Sequence, residues 1–390
     1  MAMRLIEVND KKTRTAFHAV PNVVYADDAV WIPHLRQDVD KVFDPEKNRL
    51  FKKGAKAMRW LVQDDRGQWV GRIAAFVNPK YSKGMEQPTG GIGFFESTDD
   101  DAVATLLFDA AESWLKDQGM EAVDGPINLG EKDQYWGLLV QDFTSLPSYA
   151  LNYNPEYYRR FFDAHGYQTY YEQYIFSREV DLGIQEVFER KRAQIESKGT
   201  MRVITARDLS QDQLAEHFCT VYNNAWGGHH GFAKMPLKQA QRTVKALKPV
   251  MDPDIIFFVL DGDKPIAFYV NIPELNQIFR HVKGNLNAIG KLKFLFHKWR
   301  GASDIMVGLV FGIDRDYHGQ GVDGYMIDIA GKQIQAKGRY KTTTLTWIGD
   351  FNPKMIRIAE NLGTERTRTY HTLRKLFDPE VPFKRVPIAK

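Results

Sequence analysis

The pattern of apolar and polar residues predicts short strands alternating with amphipathic helices. In the second half of the chain, residues 305–312 form an apolar run typical of a strand, and residues 342–348 are rich in β-branched side chains. A glycine-rich segment, residues 313–324, follows the first of these strands and precedes residues 325–330, which predict a helix. Backbone N–H groups in such a turn converge on one point, and the helix N-terminus adds partial positive charge. The segment is therefore a candidate pyrophosphate site.

The first half repeats this order of elements. We predict strands at residues 69–78, 90–96 and 122–126 and a helix at residues 102–118, and residues 264–271 form the counterpart of the first of these strands. An Asn-Pro pair opens a further segment in each half, at Asn154 and at Asn352. The repeat indicates a duplicated fold, with domains at residues 1–180 and 181–390. A charged amphipathic helix near residues 182–198 begins the second copy.

The two copies differ where the strand at residues 90–96, the counterpart of residues 305–312, meets the helix that follows it. In place of the glycines, the first copy has Thr98 followed by Asp99, Asp100 and Asp101. One of these side chains can cap the helix, and three carboxylates repel a diphosphate. We therefore expect the first copy to be closed to a phosphate ligand.

Residues 313–324 resemble the coenzyme A loop of the GNAT (Gcn5-related N-acetyltransferase) superfamily. That loop has Arg or Gln, two residues, Gly, one residue, then Gly or Ala; here His318, Gly321 and Asp323 occupy the three defined places. The segment from Asn352 to Gly363 is similar to the next block of the superfamily, in which an Asn opens a helix that ends at a Leu-Gly pair. The two Asn-Pro segments carry the resemblance into both halves.

The resemblance implies an α/β (α+β) fold of two tandem GNAT-like domains, each a mixed, mostly antiparallel sheet flanked by helices. It also implies acetyl-CoA or another acyl-CoA as co-substrate, without a metal. The residues that would hold it are Ile313, His318, Gly319, Gln320, Gly321, Val322, Asp323, Gly324 and Asn352. Asp323 departs from the pattern, because a carboxylate at the helix start competes with pyrophosphate for the helix dipole. The alternative is that Asp323 caps a helix whose anion site has been lost.

Catalytic candidates are harder to assign. Many members of the superfamily have a Tyr four residues before the Gly that ends the Asn-block helix, but Ala359 and Phe162 occupy these places here. Tyr370, with His371 beside it, is a substitute in the segment 366–373, which should form the last strand of the second copy. Asp314, with Asp316, lies at the start of the glycine loop and could hold a substrate amine. Core packing and surface solvation are the alternatives for these residues.

An acceptor site is expected in residues 222–232, where the superfamily builds its acceptor pocket. Its candidate residues are Tyr222, Asn223, Trp226, His229 and His230. A packed turn is the alternative. The two adjacent histidines lack the spacing that places two imidazoles on one helix face, so we expect no zinc site.

Each copy carries one long insertion, at residues 127–152 and 276–301. In the first, Lys132 to Trp136 are candidates to extend across to the second copy. In the second, basic residues alternate with apolar ones between residues 283 and 300, which fits a lid, a surface for an anionic partner or an interfacial helix. We favour a solvated helix whose apolar stripe packs on the protein.

Composition narrows the class of protein. The 390 residues include 43% hydrophobic and 13% aromatic residues, which excludes a disordered chain. With 53 Lys and Arg against 49 Asp and Glu, the net charge of +4 does not indicate nucleic acid or membrane as the main partner. The single Cys219 cannot form an internal disulfide, and no apolar run spans a bilayer. We expect a cytoplasmic protein with a small-molecule or peptide amine acceptor.

These features predict an N-acyltransferase that moves an acyl group from acyl-CoA to an amine, with its active site in the second copy. A binding or scaffold protein that keeps the fold without the chemistry is one rival. An aminoacyl transferase that uses charged tRNA is another, although the near-neutral charge argues against a large RNA footprint.

Overall fold

A computed structural model of the chain describes residues 3–197, 199–227 and 234–388. The strands are β1 Arg4–Glu7, β2 Lys56–Gln63, β3 Trp69–Val77, β4 Thr89–Ser97, β5 Ala122–Gly125, β6 Leu138–Gln141, β7 Gln168–Glu179, β8 Met201–Thr205, β9 Ile256–Asp261, β10 Lys264–Pro273, β11 Ile305–Ile313, β12 Thr342–Leu345, β13 Ile348–Gly349 and β14 Glu365–Leu376. They form one continuous sheet.

Helices pack on both faces of this sheet. They are α1 Lys11–Val24, α2 Arg36–Phe43, α3 Pro79–Ser82, α4 Asp101–Asp117, α5 Tyr158–Ala164, α6 Glu186–Glu196, α7 Gln211–Trp226, α8 Leu237–Leu247, α9 Asn276–Phe279, α10 Ala288–Trp299, α11 Val322–Lys337 and α12 Pro353–Asn361. Among the described residues, no helix is long and apolar enough to cross a membrane.

The sheet is mixed and mostly antiparallel, as predicted. Its strands run in the order β1-β2-β3-β4-β5-β14-β7-β12-β11-β10-β9-β8, while β6 pairs with β14 and β13 pairs with β7. The parallel pairs are β4 with β5 and β11 with β12, which occupy equivalent places in the two halves. The other described pairs are antiparallel.

The last strand of each half lies in the sheet of the other half. β14 pairs with β5 through Leu373 and Gly125, and β7 pairs with β12 through Arg178 and Thr343. The prediction that residues 366–373 complete the sheet of the second copy is therefore wrong in its placement, although a strand is present. Either β7 or β14 could pair the backbone N–H and C=O groups of β5 and of β12 equally well. The sequence therefore does not determine which of the two strands joins which half. The division at residue 180 stays a prediction.

Two apolar layers cover the second half of the sheet. Phe268 and Val270 of β10 pack with α7 and α8 on one face, while Tyr269 packs with the cluster that holds α6 and α11 on the other. This alternation along β10 follows from the period of two in a strand. The candidate site lies in the sheet between these two apolar layers, at the end of β11 where the chain leads into α11.

Candidate functional site

A gap opens in the sheet between β11 and β12. The two strands pair in parallel from Ile305 to Gly308, and one more bond joins the N–H of Thr346 to the carbonyl oxygen of Gly308 at 3.2 Å. Beyond this point the chain turns away, because β13 pairs with β7 instead. Among the described residues, no strand pairs with the rest of β11 on this side, which we call its free edge, and the side chain of Phe311 is exposed.

A β-bulge at Leu309 orients this free edge. Val270 pairs with Val310 and Asn271 pairs with Gly308, so Leu309 is the extra residue of β11. The N–H of Asp314 donates to Ile266 of β10, and alternation therefore turns the backbone groups of Phe311 away from β10. The N–H of Phe311 faces the gap.

The glycine loop ends beside the same gap. Gly319 and Gly321 have φ values of +74° and +85°, and Gly321 begins α11 as its N-cap. Within the described part of the chain, the N–H groups of Gly319, Gly321, Val322 and Asp323 donate no backbone hydrogen bond. Space is open around Gly319. The backbone donors that a pyrophosphate needs are thus available, and the residues present fit the expected group.

The carboxylate of Asp323 is held by a lysine that the sequence analysis did not single out. The ammonium of Lys191 on α6 lies 2.8 Å from Asp323. The methylene groups of Lys191 pass over Gly321 and Gly324, where a Cβ on Gly324 would overlap them. Lys191 is distant in sequence, so only the packing of α6 on α11 could identify it.

Several loop side chains brace the loop itself. An imidazole nitrogen of His318 lies 3.1 Å from the carbonyl oxygen of Ile313, and the amide of Gln320 donates to Asp316. Val322 is buried in the core under α11. Asn352 caps α12 by accepting from the N–H of Met355, 3.2 Å away. The side chains of His318 and Gln320 therefore shape the loop, while that of Asn352 caps a helix.

Asp314 is a structural clamp in this arrangement. Its buried carboxylate accepts hydrogen bonds from Asn224 at 2.8 Å and from the N–H of Asp316, and it pairs with Lys264 at 3.0 Å. Burial alone would raise the pKa of Asp314, but these donors hold it below its ordinary value. Such a carboxylate is a weak base, so the geometry does not support Asp314 in proton abstraction.

Tyr370 lies on β14, in the first half of the sheet. β7 and β12 separate it from β11, which places it roughly 14 Å away at three strand spacings. Its side chain is buried with Leu139, Leu151 and Ile175. The structure therefore does not bring Tyr370 and Asp314 together, because the strand exchange moved β14.

The acceptor candidates lie in the last turns of α7. Asn223 bonds both backbone polar groups of Met235, so its amide holds Met235 against the end of α7. Tyr222 and Trp226 have ring centroids 5.0 Å apart, and Trp226 packs under Gly312 of β11. His229 and His230 lie outside the described residues. Of these candidates, Trp226 thus contacts β11 directly.

Tyr269 is a second polar residue that the sequence analysis missed. Its ring centroid lies 5.9 Å from that of Phe311, and its Cε2 lies 3.6 Å from where a Cβ on Gly308 would be. Burial raises the pKa of the Tyr269 hydroxyl, while the neighbouring Thr343 and Asn271 partly offset this shift. The hydroxyl therefore keeps its proton at neutral pH.

The equivalent gap in the first half is closed. All nine residues of β4 are buried, and a Cβ on Gly93 would overlap the carbonyl oxygen of Ile127. Asp100 caps α4, and Arg160 pairs with the flanking Asp99 and Asp101.

The first half has a cavity elsewhere, of about 480 Å³, lined among others by Tyr25, Asp28 and Tyr153. Tyr25 donates to the buried Glu96 at 2.7 Å. Neither the cavity nor this hydrogen bond was expected from the sequence.

The two insertions meet the opposite halves. The indole N–H of Trp347 donates to the carbonyl oxygen of Lys132 at 3.0 Å, so residue 132 does reach across to the second half. In the other direction, the amide of Asn276 donates to Pro147 at 2.8 Å.

Comparison with known proteins gives two full-length relatives. The chain is 26% identical over 384 residues to the bacterial ceramide synthase of Caulobacter vibrioides (strain NA1000 / CB15N), covering 96% of this chain and 97% of that protein. It is 25% identical over 375 residues to protein YghO of Escherichia coli (strain K12), covering 94% and 93%. No protein-family model matches the sequence.

Solved structures resemble the whole chain. A tandem GNAT protein from the clavulanic acid biosynthesis pathway superposes with a TM-score of 0.54 at 8% identity, over 97% of this chain and 100% of that one. A GCN5-related glucosamine N-acetyltransferase region in a fungal multi-domain GH3 β-N-acetylglucosaminidase gives 0.54 at 12% identity, over 96% of this chain and 38% of that one. The chain thus has the GNAT fold, as its glycine loop and Asn-Pro segments predicted.

Proposed function

We propose that the protein transfers an acyl group from an acyl-CoA to an amine at the gap between β11 and β12. The observation that carries this proposal is the free edge of β11, which ends at a glycine loop with unpaired N–H groups. The equivalent strand β4 in the first half is entirely buried. Fold alone does not define activity, so the argument rests on this contrast between the two halves.

Each part of the gap has a role in this proposal. The N–H groups of Gly319, Gly321, Val322 and Asp323 bind the pyrophosphate, with the start of α11 behind them. The bound acyl-CoA supplies a thioester. The N–H of Phe311 then stabilises the oxyanion that forms when an amine attacks this thioester. Tyr269, which is protonated at neutral pH, donates its proton to the departing thiolate, so that CoA leaves as the thiol. The resulting phenolate takes the proton that the attacking nitrogen loses.

The relative named bacterial ceramide synthase favours a lipid amine as acceptor. A ceramide is an amide of a long-chain amino alcohol, so its synthesis belongs to the same class of reaction. The half-buried or exposed side chains along the free edge of β11, those of Leu309, Phe311 and Ile313, are apolar. An apolar edge suits a long acyl chain better than a charged acceptor.

A direct assay tests the proposal. The full chain is incubated with acetyl-CoA or palmitoyl-CoA and either a long-chain amino alcohol or ethanolamine, and the amide product is measured by mass spectrometry. We expect palmitoyl transfer to the long-chain amine, and a loss of about tenfold or more in kcat for Tyr269→Phe with little change in KM. Absence of both donor binding at millimolar concentration and amide product would refute the proposal.

One observation favours the non-catalytic alternative. The side chains of Lys191 and Phe188 on α6 lie over Gly324, where they cover part of the loop. Calorimetric titration with acetyl-CoA and with palmitoyl-CoA distinguishes the enzyme from a protein that only keeps the fold, because the latter binds neither donor.

A further inference from the structure

Helix α10 presents an apolar face to solvent. Ile289, Leu292, Phe296 and Trp299 follow one another at steps of three, four and three residues, so they share one side of the helix. Their exposure is high, at 65% for Ile289, 68% for Leu292 and 83% for Trp299. The expectation that this stripe packs on the protein is therefore wrong.

The opposite face holds α10 to the protein. Gly290 and Phe294 are buried, and Phe294 packs with Ile278 and Phe279 of α9. The face of α10 that contacts the protein is thus small, and the other large apolar side chains of the helix are exposed to solvent. This choice of face could not be read from the sequence, because both sides of α10 carry apolar residues.

Basic residues border the exposed apolar face on both sides. Lys291 and Lys298 lie seven residues apart along one border, and Lys293 and Arg300 lie seven apart along the other. From residue 275 to residue 303 the sequence contains six Lys or Arg and no Asp or Glu. The mild net charge of the whole chain conceals this local concentration.

A second basic segment lies on the same face of the sheet. Residues 234–250, which include α8, contain five Lys or Arg and no acidic residue. Val270 of β10 packs with α8, and Ile272, two residues further along the strand, packs with the cluster of α10. Lys298 joins the two segments by donating to the carbonyl oxygen of Pro249.

We propose that α10 docks on the surface of an anionic lipid bilayer, with its apolar stripe inserted between the lipids. Apolar residues with an exposed Trp, bordered by lysines, are what an interfacial helix requires. A protein partner fits less well, because lysine is depleted from protein interfaces. The charge of the two basic segments complements acidic headgroups.

This position connects the lipid surface with the gap. Leu309, the bulge residue of β11, packs against the same apolar cluster that contains Phe294 of α10. A helix seated in the headgroup region would hold the free edge of β11 close to lipids. Docking itself does not depend on acyl transfer, and it is measured without any acyl donor.

Vesicle flotation with the full chain tests the proposal. We expect binding to phosphatidylcholine vesicles that contain one third phosphatidylglycerol, weaker binding at high salt, and little binding to phosphatidylcholine alone. Leu292→Ser with Trp299→Ser should lower the partition coefficient about tenfold or more. Lys291→Gln with Lys293→Gln should lower it and reduce its dependence on salt.

The matched control changes another exposed apolar pair. Met355→Ser with Ile358→Ser on α12 should leave vesicle binding unchanged, and circular dichroism checks that all variants are folded. Equal vesicle binding by wild type and the α10 variants would overturn the proposal. So would a failure of the wild type to bind anionic vesicles, or a dimer in solution that the Trp299→Ser change dissociates without any vesicle binding.

Discussion

The ammonium of Lys191 lies 2.8 Å from the carboxylate of Asp323, at the first turn of α11. Both side chains are partly exposed, so the pair is accessible to a ligand. Without Lys191, a negative charge would stand beside the N–H groups that are expected to receive a pyrophosphate. With it, the local charge is balanced, and the carboxylate points to α6 rather than into the loop.

Changing either partner should shift donor affinity in opposite directions. We expect Lys191→Met to weaken binding of CoA about tenfold, because Asp323 then repels the phosphates, and Asp323→Asn to strengthen it about threefold. The double variant should fall between the two. Isothermal titration calorimetry measures all four proteins. If all four bind CoA equally, the donor does not sit at the start of α11.

Gly321 and Gly338 form a matched pair at the two ends of α11. Both have positive φ, at +85° and +61°, so alanine at either position should cost about 1 kcal/mol of unfolding free energy. Only Gly321→Ala should also weaken CoA binding, by about tenfold or more, because it displaces the N–H groups of the loop. Chemical denaturation and calorimetry separate the two effects. Equal CoA affinity of both variants would contradict the assignment of the loop.

The exchanged strand β14 is locked by a buried ion pair. The guanidinium of Arg374 makes two hydrogen bonds to Asp124 of β5, at 2.6 and 2.8 Å. Arg374→Met should lower the unfolding free energy by about 3 kcal/mol, because it leaves a buried carboxylate without its partner. Denaturation in urea measures this loss.

A double variant and an exposed pair serve as controls for this prediction. Adding Asp124→Leu to Arg374→Met should recover most of the lost stability. Arg160→Ala, which breaks an exposed ion pair with Asp99, should hardly move the denaturation midpoint. A small effect of Arg374→Met would mean that the pair does not hold β14 in place.

His371 should make stability depend on pH. Burial lowers the pKa of His371 to about 4, together with the nearby Arg159, which donates to its ring nitrogen at 2.8 Å, and against the opposing effect of Glu172. Below pH 6.5 the unfolded chain therefore binds a proton that the folded chain does not, and stability falls as the pH drops toward 4.

The comparison with His371→Gln isolates this effect. Between pH 7 and pH 5 the wild type should lose about 1–2 kcal/mol more unfolding free energy than the variant. Other titrating groups are shared by the two proteins and cancel. Parallel pH profiles would show that His371 is protonated equally in the folded and unfolded states.

Local features of the candidate site were accessible from the sequence. The strand at β11, the glycine loop from Ile313 to Gly324 and the helix behind it follow from side-chain pattern and from residues that tolerate positive φ. That the acidic residues at Asp99 close the first copy to a diphosphate stays a prediction. Each of these depends on neighbours within about one turn or strand, where the residue sequence acts directly.

Residues whose role depends on contacts with distant parts of the chain could not be identified from the sequence. Asp314 was a candidate to hold a substrate amine at the start of the loop, and in the structure Lys264 and Asn224 from other elements hold its carboxylate. Tyr370 was expected near the second site, and strand pairing placed it in the first half instead. Lys191 and Tyr269 carried no signal in the sequence, since their importance comes from what packs beside them.

The sequence by itself determined the duplicated order of strands and helices and the position of the glycine loop, because periodicity and φ preference are local properties. Only the tertiary structure decided that β7 and β14 exchange places, that the gap is open in one half and filled in the other, and that α10 turns its apolar stripe outward. These outcomes depend on which of several compatible surfaces meet, and that is settled by packing among segments far apart in the chain.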